Sequence, residues 1–223
     1  MSEQLGEIEK PAAEGFKAER KLFFVPLILT PREPQADLQE IVSRYWEQVQ
    51  GNIRNLEMKL GEVKRVYHEL VPEEGEEAAK AVEELSAESY QIVKSGLDKG
   101  AELLPIEDGE LLTELMDWTK CLAVGLQNQM VFNKVYESFI DVQKRRNEHI
   151  AKQIDETLAD GETGVLLMRE GHQVQFPSDI QVFYIAPPAL DEIKRWIRVR
   201  ETESQPESEA ETEKETQAET DSK

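Results

Sequence analysis

GVLLMREGHQVQFPSDIQVFYIAPP, residues Gly164–Pro188, is the stretch of sequence from which the fold of this chain follows. It contains two apolar runs rich in Val, Ile, Phe and Tyr and bounded by Gly and Pro, a pattern that predicts buried strands over Gly164–Met168 and Ile180–Ala186. The turn between them carries Glu170–His172. Open α/β sheets keep their chemistry just past the carboxyl ends of their strands. The stretch therefore predicts a sheet and a candidate site, although it does not indicate a substrate.

Three more strand patterns precede this stretch, with helical patterns between and after them. The strand patterns are KLFFVPLILT (Lys21–Thr30), VKRVYHELV (Val63–Val71) and AELLPIED (Ala101–Asp108). Apolar residues at helical spacing predict helices over Asp37–Leu60 (with Asp37 as its N-cap), over Glu73–Lys99 as one helix or a pair, over Glu110–Asp160, and after Pro188. A single helix over Glu110–Asp160 would be unusually long, so we expect a break near Gly125 or Asn128.

The order of these elements predicts an α/β domain with a mostly parallel central sheet and long helices over residues 21–200. The alternative is a mainly helical α+β fold with a small C-terminal β element, which would hold if the second and third strand patterns were not strands. Pro26 cannot donate a ladder hydrogen bond, so we expect the first strand to lie at a sheet edge or to contain a bulge.

The two ends of the chain lack the pattern of folded elements. Residues 1–20 show no periodic hydrophobicity and predict a flexible arm. Residues 201–223 contain no aromatic or β-branched aliphatic residue and are dense in Glu, which is typical of a disordered acidic tail.

The charge of the chain limits the classes of partner that are expected for it. The formal net charge is −20, of which nine acidic residues and two lysines in residues 201–223 account for −7, leaving −13 on residues 1–200. An acidic surface repels nucleic acid backbones and anionic lipids, so neither is expected as a partner. A metal ion, a cationic ligand, a small molecule or another protein fits this charge better.

Cysteine content and the N-terminal sequence indicate a soluble cytoplasmic protein. Cys121 is the single cysteine, so no internal disulfide can form, and its apolar helical setting favours a packed thiol. The N-terminal residues are charged and polar, and the apolar run Leu22–Leu29 is far shorter than the roughly 20 residues of a membrane span.

Titratable side chains follow three of the predicted strands. They form the pairs His68 with Glu69, Glu107 with Asp108, and Glu170 with His172. Because the carboxyl ends of parallel strands open on the same crevice, we expect these pairs to converge. The alternative is that these carboxylates are ordinary solvated groups, since the chain has 46 acidic residues. The chain has only three histidines, however, and two of them follow predicted strands.

Such a cluster allows two chemistries. As metal ligands, His68, His172, Glu107 and Asp108 would suit Zn, Mn or Fe and could activate a water. Without metal, His172 with Glu170 and His68 with Glu69 would be general acid–base pairs. The third histidine, His149, lies in a charged helical stretch and predicts a surface position.

Arg145 and Arg146 precede the fourth strand on the long helical pattern. They could clamp a carboxylate or phosphate group of a ligand in the crevice. The alternative is that the pair lies on a solvated helix face and offsets the acidic surface.

The segment RNEHIAKQIDETLADGETGVLLMREGHQV is similar to the closing segment of the TraB/Tiki-like superfamily of pheromone-shutdown proteins and their relatives. Arg146-Asn147 would match the helix pair of that family, Val165–Met168 its buried strand, and Gly171-His172 its terminal motif. The resemblance implies an α/β fold and, from some members of the superfamily, a metal-dependent hydrolase or protease. The family carries Gly-x-x-His at its first strand, which FFVPLILTPRE lacks, and it spaces the terminal Gly and His by two residues, which are adjacent here.

Three functions are therefore open. The first is a metal-assisted hydrolase of unknown substrate. The second is a non-catalytic interaction or scaffolding protein that uses the helices of residues 110–160, through which it could form a homodimer, and its acidic tail. The third is a degenerate relative of an enzyme that keeps the fold but has lost part of the site.

Overall fold

Five parallel strands form the centre of the computed structural model, which describes residues 19–31 and 35–204. The strands are β1 (Arg20–Pro26), β2 (Val63–His68), β3 (Glu102–Leu104), β4 (Thr163–Met168) and β5 (Ile180–Tyr184). They lie in the order β3-β2-β4-β1-β5, and every neighbouring pair runs parallel. The prediction of an α/β fold with a mostly parallel sheet is confirmed, and the helical alternative with a C-terminal β element is wrong.

Six helices accompany the sheet in the described part of the chain. They are α1 (Ala36–Leu60), α2 (Gly75–Leu85), α3 (Ala87–Leu97), α4 (Gly109–Ala123), α5 (Gln129–Thr157) and α6 (Pro188–Ser204). The predicted break in the long helical pattern is confirmed: Gly125 has φ +78°, and Asn128 caps α5 by accepting a 3.1 Å hydrogen bond from the N–H of Val131.

Alternation along the strands divides the core between the two faces of the sheet. On β1, Phe23 and Val25 pack in one cluster with α1, α2, α3 and α6. Leu22 and Phe24 point to the other face, where Ile150 and Ile154 of α5 cover them. Both faces of the sheet are therefore buried, as expected of parallel strands.

β1 is an interior strand between β4 and β5, and its register with both neighbours is continuous, so the prediction that Pro26 puts it at a sheet edge or gives it a bulge is wrong. Pro26 is the last residue of the strand. Leu27 N–H donates to Met168 O on the β4 side, which leaves the imide nitrogen of Pro26 on the β5 side. The last hydrogen bond between the chain after β5 and β1 runs from Ile185 N–H to Phe24 O, so no strand partner needs a donor at Pro26. The carbonyl of Pro26 accepts a hydrogen bond from the hydroxyl of Tyr45 at 2.5 Å.

Some element boundaries differ from those predicted. Gln35, and not Asp37, is the N-cap residue of α1, while Asp37 lies in the first turn. Arg20, assigned to the N-terminal arm, begins β1, and α6 continues to Ser204, past the predicted start of the tail. Residues 1–18 of the arm and 205–223 of the tail lie outside the described residues. Among the helices that are described, none is both long and apolar enough to cross a membrane.

The connection from β4 to β5 contains no helix. Residues 169–179 pass from β4 over the end of β1 to β5, and Val174 and Phe176 of this connection pack on the α5 face of the sheet. The connection that follows β2 leads instead to α2 and α3 on the opposite face. The chain therefore leaves two adjacent strands, β2 and β4, towards opposite faces.

Gly164 of β4 is the tightest position of the sheet for a side chain. A Cβ atom there would lie 3.1 Å from Cε2 of Tyr67 and 3.2 Å from Cδ1 of Leu22. We expect Gly164→Ala to lower the free energy of unfolding by about 1–3 kcal/mol through overpacking, as measured by urea denaturation. The control is Gly51→Ala in α1, where a Cβ would have no neighbour within 4 Å and helix propensity should raise stability by up to about 1 kcal/mol. Equal stability of the Gly164→Ala variant and the wild type would contradict the packing described.

Candidate functional site

The candidate site lies where the chain leaves β2 and β4 towards opposite faces of the sheet. Such a divergence between adjacent parallel strands opens a crevice at their carboxyl ends, which is the usual ligand site of open α/β sheets. Glu69 follows β2, Arg169 follows β4, and the N–H of Glu69 still donates to Leu167 O at 2.9 Å. The crevice is therefore built directly on the rigid end of the sheet.

A buried ion network joins four segments of the chain at this crevice. Arg146 of α5 donates from Nη2 to Glu69 Oε1 at 3.0 Å and from Nε to Glu107 Oε2 at 2.8 Å, with a second, very short contact from Nη2 to Glu107 Oε1. Arg169 binds Glu69 through its backbone N–H at 2.7 Å and through Nη2 at 2.9 Å. The side chains of Glu69, Glu107 and Arg146 are at most 5% exposed, so these three groups are held out of water.

The network keeps Glu69 ionised. Burial opposes this by raising the pKa of the carboxyl group, but the hydrogen bonds from the side chain and backbone of Arg169, together with the charge of Arg146, lower the pKa below its usual value overall. Glu69 is thus a fixed negative charge at the floor of the crevice. A fixed charge of this kind can orient a ligand or stabilise a cation that forms nearby.

The turn after Glu69 is strained and is tied to the same network. Leu70 has φ +70°, a left-handed backbone conformation that costs a non-glycine residue roughly 1 kcal/mol or more. Its N–H donates to Glu107 Oε1 at 2.9 Å. Glu107 therefore holds both the buried guanidinium of Arg146 and the strained turn that positions Glu69.

His172 lies above this floor, in the connection between β4 and β5. Its ring packs at 4.9 Å from the ring of Phe24 and at 5.8 Å from that of Phe176. Burial lowers the pKa of His172 below its ordinary value, although the negative charge of Glu69 acts in the opposite direction. The imidazole is therefore neutral at neutral pH.

The hydrogen bonding of His172 leaves one ring nitrogen open. Nδ1 receives the N–H of Val174 at 3.3 Å, a long contact, while no atom of residues 19–31 or 35–204 bonds to Nε2. In the tautomer with Nε2 as the acceptor, Nδ1–H would face the N–H of Val174, so this long contact is lost at a cost of about 1–3 kcal/mol, which leaves that tautomer a minor but accessible form. A neutral imidazole with an open nitrogen can exchange a proton with a ligand.

Glu170 anchors the start of this connection. Its Oε1 accepts from Lys194 Nζ at 2.8 Å and, in a very short contact, from the hydroxyl of Tyr184. Burial raises the pKa of Glu170, but the contacts with Lys194 and Tyr184 lower it overall, so its carboxylate is ionised and already paired. Its position is that of a support for the loop that carries His172.

His68 does not share a site with His172. Alternation along β2 sends Tyr67 to the α5 face and His68 to the opposite face, where His68 Nε2 contacts Ser89 Oγ of α3 at 3.1 Å and Nδ1 contacts Glu69 O at 2.7 Å. Both ring nitrogens are engaged, and burial lowers the pKa of His68. The predicted convergence of the two histidines is therefore not formed.

Asp108 and Arg145 also lie away from the crevice. Asp108 caps α4, accepting from the N–H groups of Glu110 at 2.8 Å and Leu111 at 3.0 Å. Arg145 is exposed and pairs with Glu114 and Asp141, both at 2.9 Å, as the solvated alternative for the arginine pair requires. Of the two arginines, only Arg146 lines the crevice.

The crevice opens into a cleft of about 320 Å³ between α4, α5 and the connection that follows β4. Its polar lining includes Glu69, Arg146, Asn147, Arg169, Glu170 and His172. Its apolar lining comes from Leu115, Phe139 and Met168. The cleft thus offers an ionised carboxylate, two guanidinium groups and a neutral imidazole beside an apolar wall.

The donor set does not fit a divalent metal as the structure arranges it. Both ring nitrogens of His68 are bonded, Asp108 caps a helix, and the carboxylates of Glu69 and Glu107 are occupied by guanidinium groups. In the described ranges, no group of three or more His, Cys, Asp or Glu side chains could hold a metal ion. The predicted metal ligands therefore form no common centre here.

Arg169 is the residue that sequence reasoning missed. It directly follows β4, and the strand-end rule that selected Glu170 and His172 could have selected it as well. Its side chain is 50% exposed, and in the described part of the chain Nη1 has no hydrogen-bond partner. That N–H group is free to donate to a ligand in the cleft.

Comparisons with family models, curated proteins and solved structures found no match to this chain. The resemblance to the TraB/Tiki-like superfamily therefore stays a prediction. The residues that carry it are grouped in space: Arg146 and Asn147 lie in α5, Val165–Met168 lies in β4, and His172 faces the same cleft.

Removing Arg146 should destabilise the protein far more than removing its neighbour Arg145. Arg146→Met would leave the buried carboxylate of Glu107 without its cation and Glu69 with Arg169 alone, and we expect a loss of about 3–5 kcal/mol in the free energy of unfolding, measured by chemical denaturation. Arg145→Met, which breaks only exposed ion pairs, should leave the denaturation midpoint nearly unchanged. Similar midpoints for the two variants would contradict the buried network.

Proposed function

We propose that the protein is a hydrolase in which His172 is the acid–base residue, and that the cleft between α4, α5 and the β4–β5 connection binds its substrate. The observation that carries the proposal is a neutral imidazole with an open nitrogen, placed over an ionised carboxylate in a cleft at the carboxyl end of a parallel sheet.

The residues suggest a chemical sequence for an ester or amide substrate. Nε2 of His172 takes a proton from water as the water oxygen bonds to the carbonyl carbon of the substrate. The negative charge of Glu69 stabilises the imidazolium that forms. Nη1 of Arg169 donates to the oxygen on which negative charge develops. The imidazolium then returns the proton to the leaving group as the C–O or C–N bond breaks.

Two further features support a functional role for this part of the molecule. The left-handed backbone of Leu70 stores strain beside Glu69, and residues in such conformations cluster at functional sites. The buried ion network is the second feature: apolar residues of similar volume are often at least as stabilising, so stability alone does not account for these buried charges.

The metal and the cellular location stay predictions. A divalent metal (Zn, Mn or Fe) would need ligands other than the bonded groups described above, so no step of the sequence passes through one. Metal analysis of protein purified without a histidine tag tests this expectation. The cytoplasmic location rests on the single cysteine.

The alternative of an interaction protein is favoured by a separate observation. The first half of α5 and the end of α4 extend beyond the sheet and expose large apolar residues, among them Met130 and Phe132. The two functions do not exclude each other, because the exposed helices meet the cleft only at its margin, at Phe139 and Gln143.

Replacing His172 should abolish hydrolysis without unfolding the protein. We expect His172→Gln to lower kcat/KM by about 100-fold or more on any p-nitrophenyl ester or fluorogenic amide that the wild type cleaves, since general acid–base catalysis contributes that much. His149→Gln, which alters a histidine outside the cleft, should keep full activity and serves as the matched control.

The pH dependence gives the second readout of the same experiment. The neutral imidazole is the active form and its pKa is lowered, so kcat/KM should rise with pH through a value below about 6.5 and then stay level at neutral pH. Retained activity in His172→Gln, or no cleavage of any ester or amide tested by the wild type, would overturn the proposed hydrolase.

A further inference from the structure

One face of α5 is exposed although it carries large apolar side chains. Phe132, Tyr136 and Ile140 succeed one another at intervals of four residues and are 37%, 47% and 43% exposed. The rings of Phe132 and Tyr136 stack at 5.9 Å, and Tyr136 is followed at 6.5 Å by Phe139. Residues four apart lie on one side of a helix, so these side chains form a continuous stripe.

Apart from Phe139, whose symmetric position is occupied by Asn133, the stripe is symmetric about Tyr136. Gln129 lies three residues before Phe132, and Gln143 lies three residues after Ile140, so the face reads amide, apolar, Tyr136, apolar, amide in either direction. Two copies of such a face match when the helices run antiparallel, because a two-fold axis through Tyr136 pairs Phe132 with the partner's Ile140. The same axis pairs Gln129 with the partner's Gln143, amide with amide.

The charge of the chain opposes contact between two copies except at an uncharged face such as this one. The chain carries a net charge of −20, so two copies repel each other over most of their surfaces. None of the stripe residues carries a charge. The charged residues of this part of α5, Lys134, Glu137 and Asp141, lie about 100° or more from Tyr136 around the helix axis. A basic partner would instead be attracted to the acidic surfaces.

We propose that the protein is a homodimer in which the stripes of two α5 helices pack antiparallel, with Tyr136 at the two-fold axis. The dimer reaches the cleft of each protomer, because Gln143 and Phe139 line that cleft. Pairing of Gln143 with the partner's Gln129 brings the partner's helix to the margin of the cleft, where it forms an additional wall. This inference goes beyond the proposed hydrolase and does not depend on it.

The test is the oligomeric state of the full chain by light scattering and sedimentation at micromolar concentration. The wild type should have twice the chain mass of 25.5 kDa. Tyr136→Glu should raise the dissociation constant about 100-fold or more, because two like charges would meet at the axis. Met58→Glu changes a residue of α1 that is 78% exposed and outside the stripe, and should leave the dimer intact.

A mixed pair of variants tests the antiparallel register. Phe132→Lys and Ile140→Glu should each be monomeric, but an equimolar mixture should form a heterodimer, since the introduced lysine faces the introduced glutamate across the axis. The changed positions are exposed, and thermal unfolding of each variant verifies that it is folded. A monomeric wild type, dimeric Tyr136→Glu, or a mixture that stays monomeric would each overturn the proposal, whatever the outcome of the activity assays.

Discussion

The buried contact between Arg146 and the carboxylates of Glu69 and Glu107 is the interaction on which the rest of the site depends. It joins the end of β2, the segment after β3 and the middle of α5, and Arg169 adds the end of β4. Taking such charges out of water is costly, and only the mutual neutralisation of several groups makes the arrangement tolerable. The pairing of Arg146 with these carboxylates fixes the position of α5 over the sheet, and with it the shape of the neighbouring cleft.

The length of α5 connects the site with the exposed surface. The helix has 29 residues and is therefore about 43 Å long. This is longer than the strands of the sheet, which have at most seven residues. Its buried residues begin only at Val142, and the first half projects beyond the sheet beside α4. The cleft lies where the packed half meets the projecting half. A partner bound along the projecting half would therefore lie next to the cleft.

The strand pattern of the sequence predicted much of the fold, because buried parallel strands bounded by Gly and Pro leave a strong signal. The same rule placed Glu69, Glu107 and His172 at strand ends. The rule failed for His68, because side chains alternate between the two faces of β2 and His68 points away from the cleft. Which face holds the cleft depends on helices and strands that are distant in sequence. Pro26 was misplaced for a related reason: a proline lacks a donor on one side only, which costs nothing where the ladder on that side has ended.

Titration of His172 by NMR tests the central electrostatic claim most directly, with the His172→Gln variant assigning its resonance. We expect a pKa below about 6.5 in the wild type and a still lower pKa in Glu69→Gln, because the carboxylate that favours the imidazolium is gone and Arg169 is left without its carboxylate. A wild-type pKa above that value, or a pKa that does not change when Glu69 is replaced, would contradict the proposed coupling between His172 and the buried ion network.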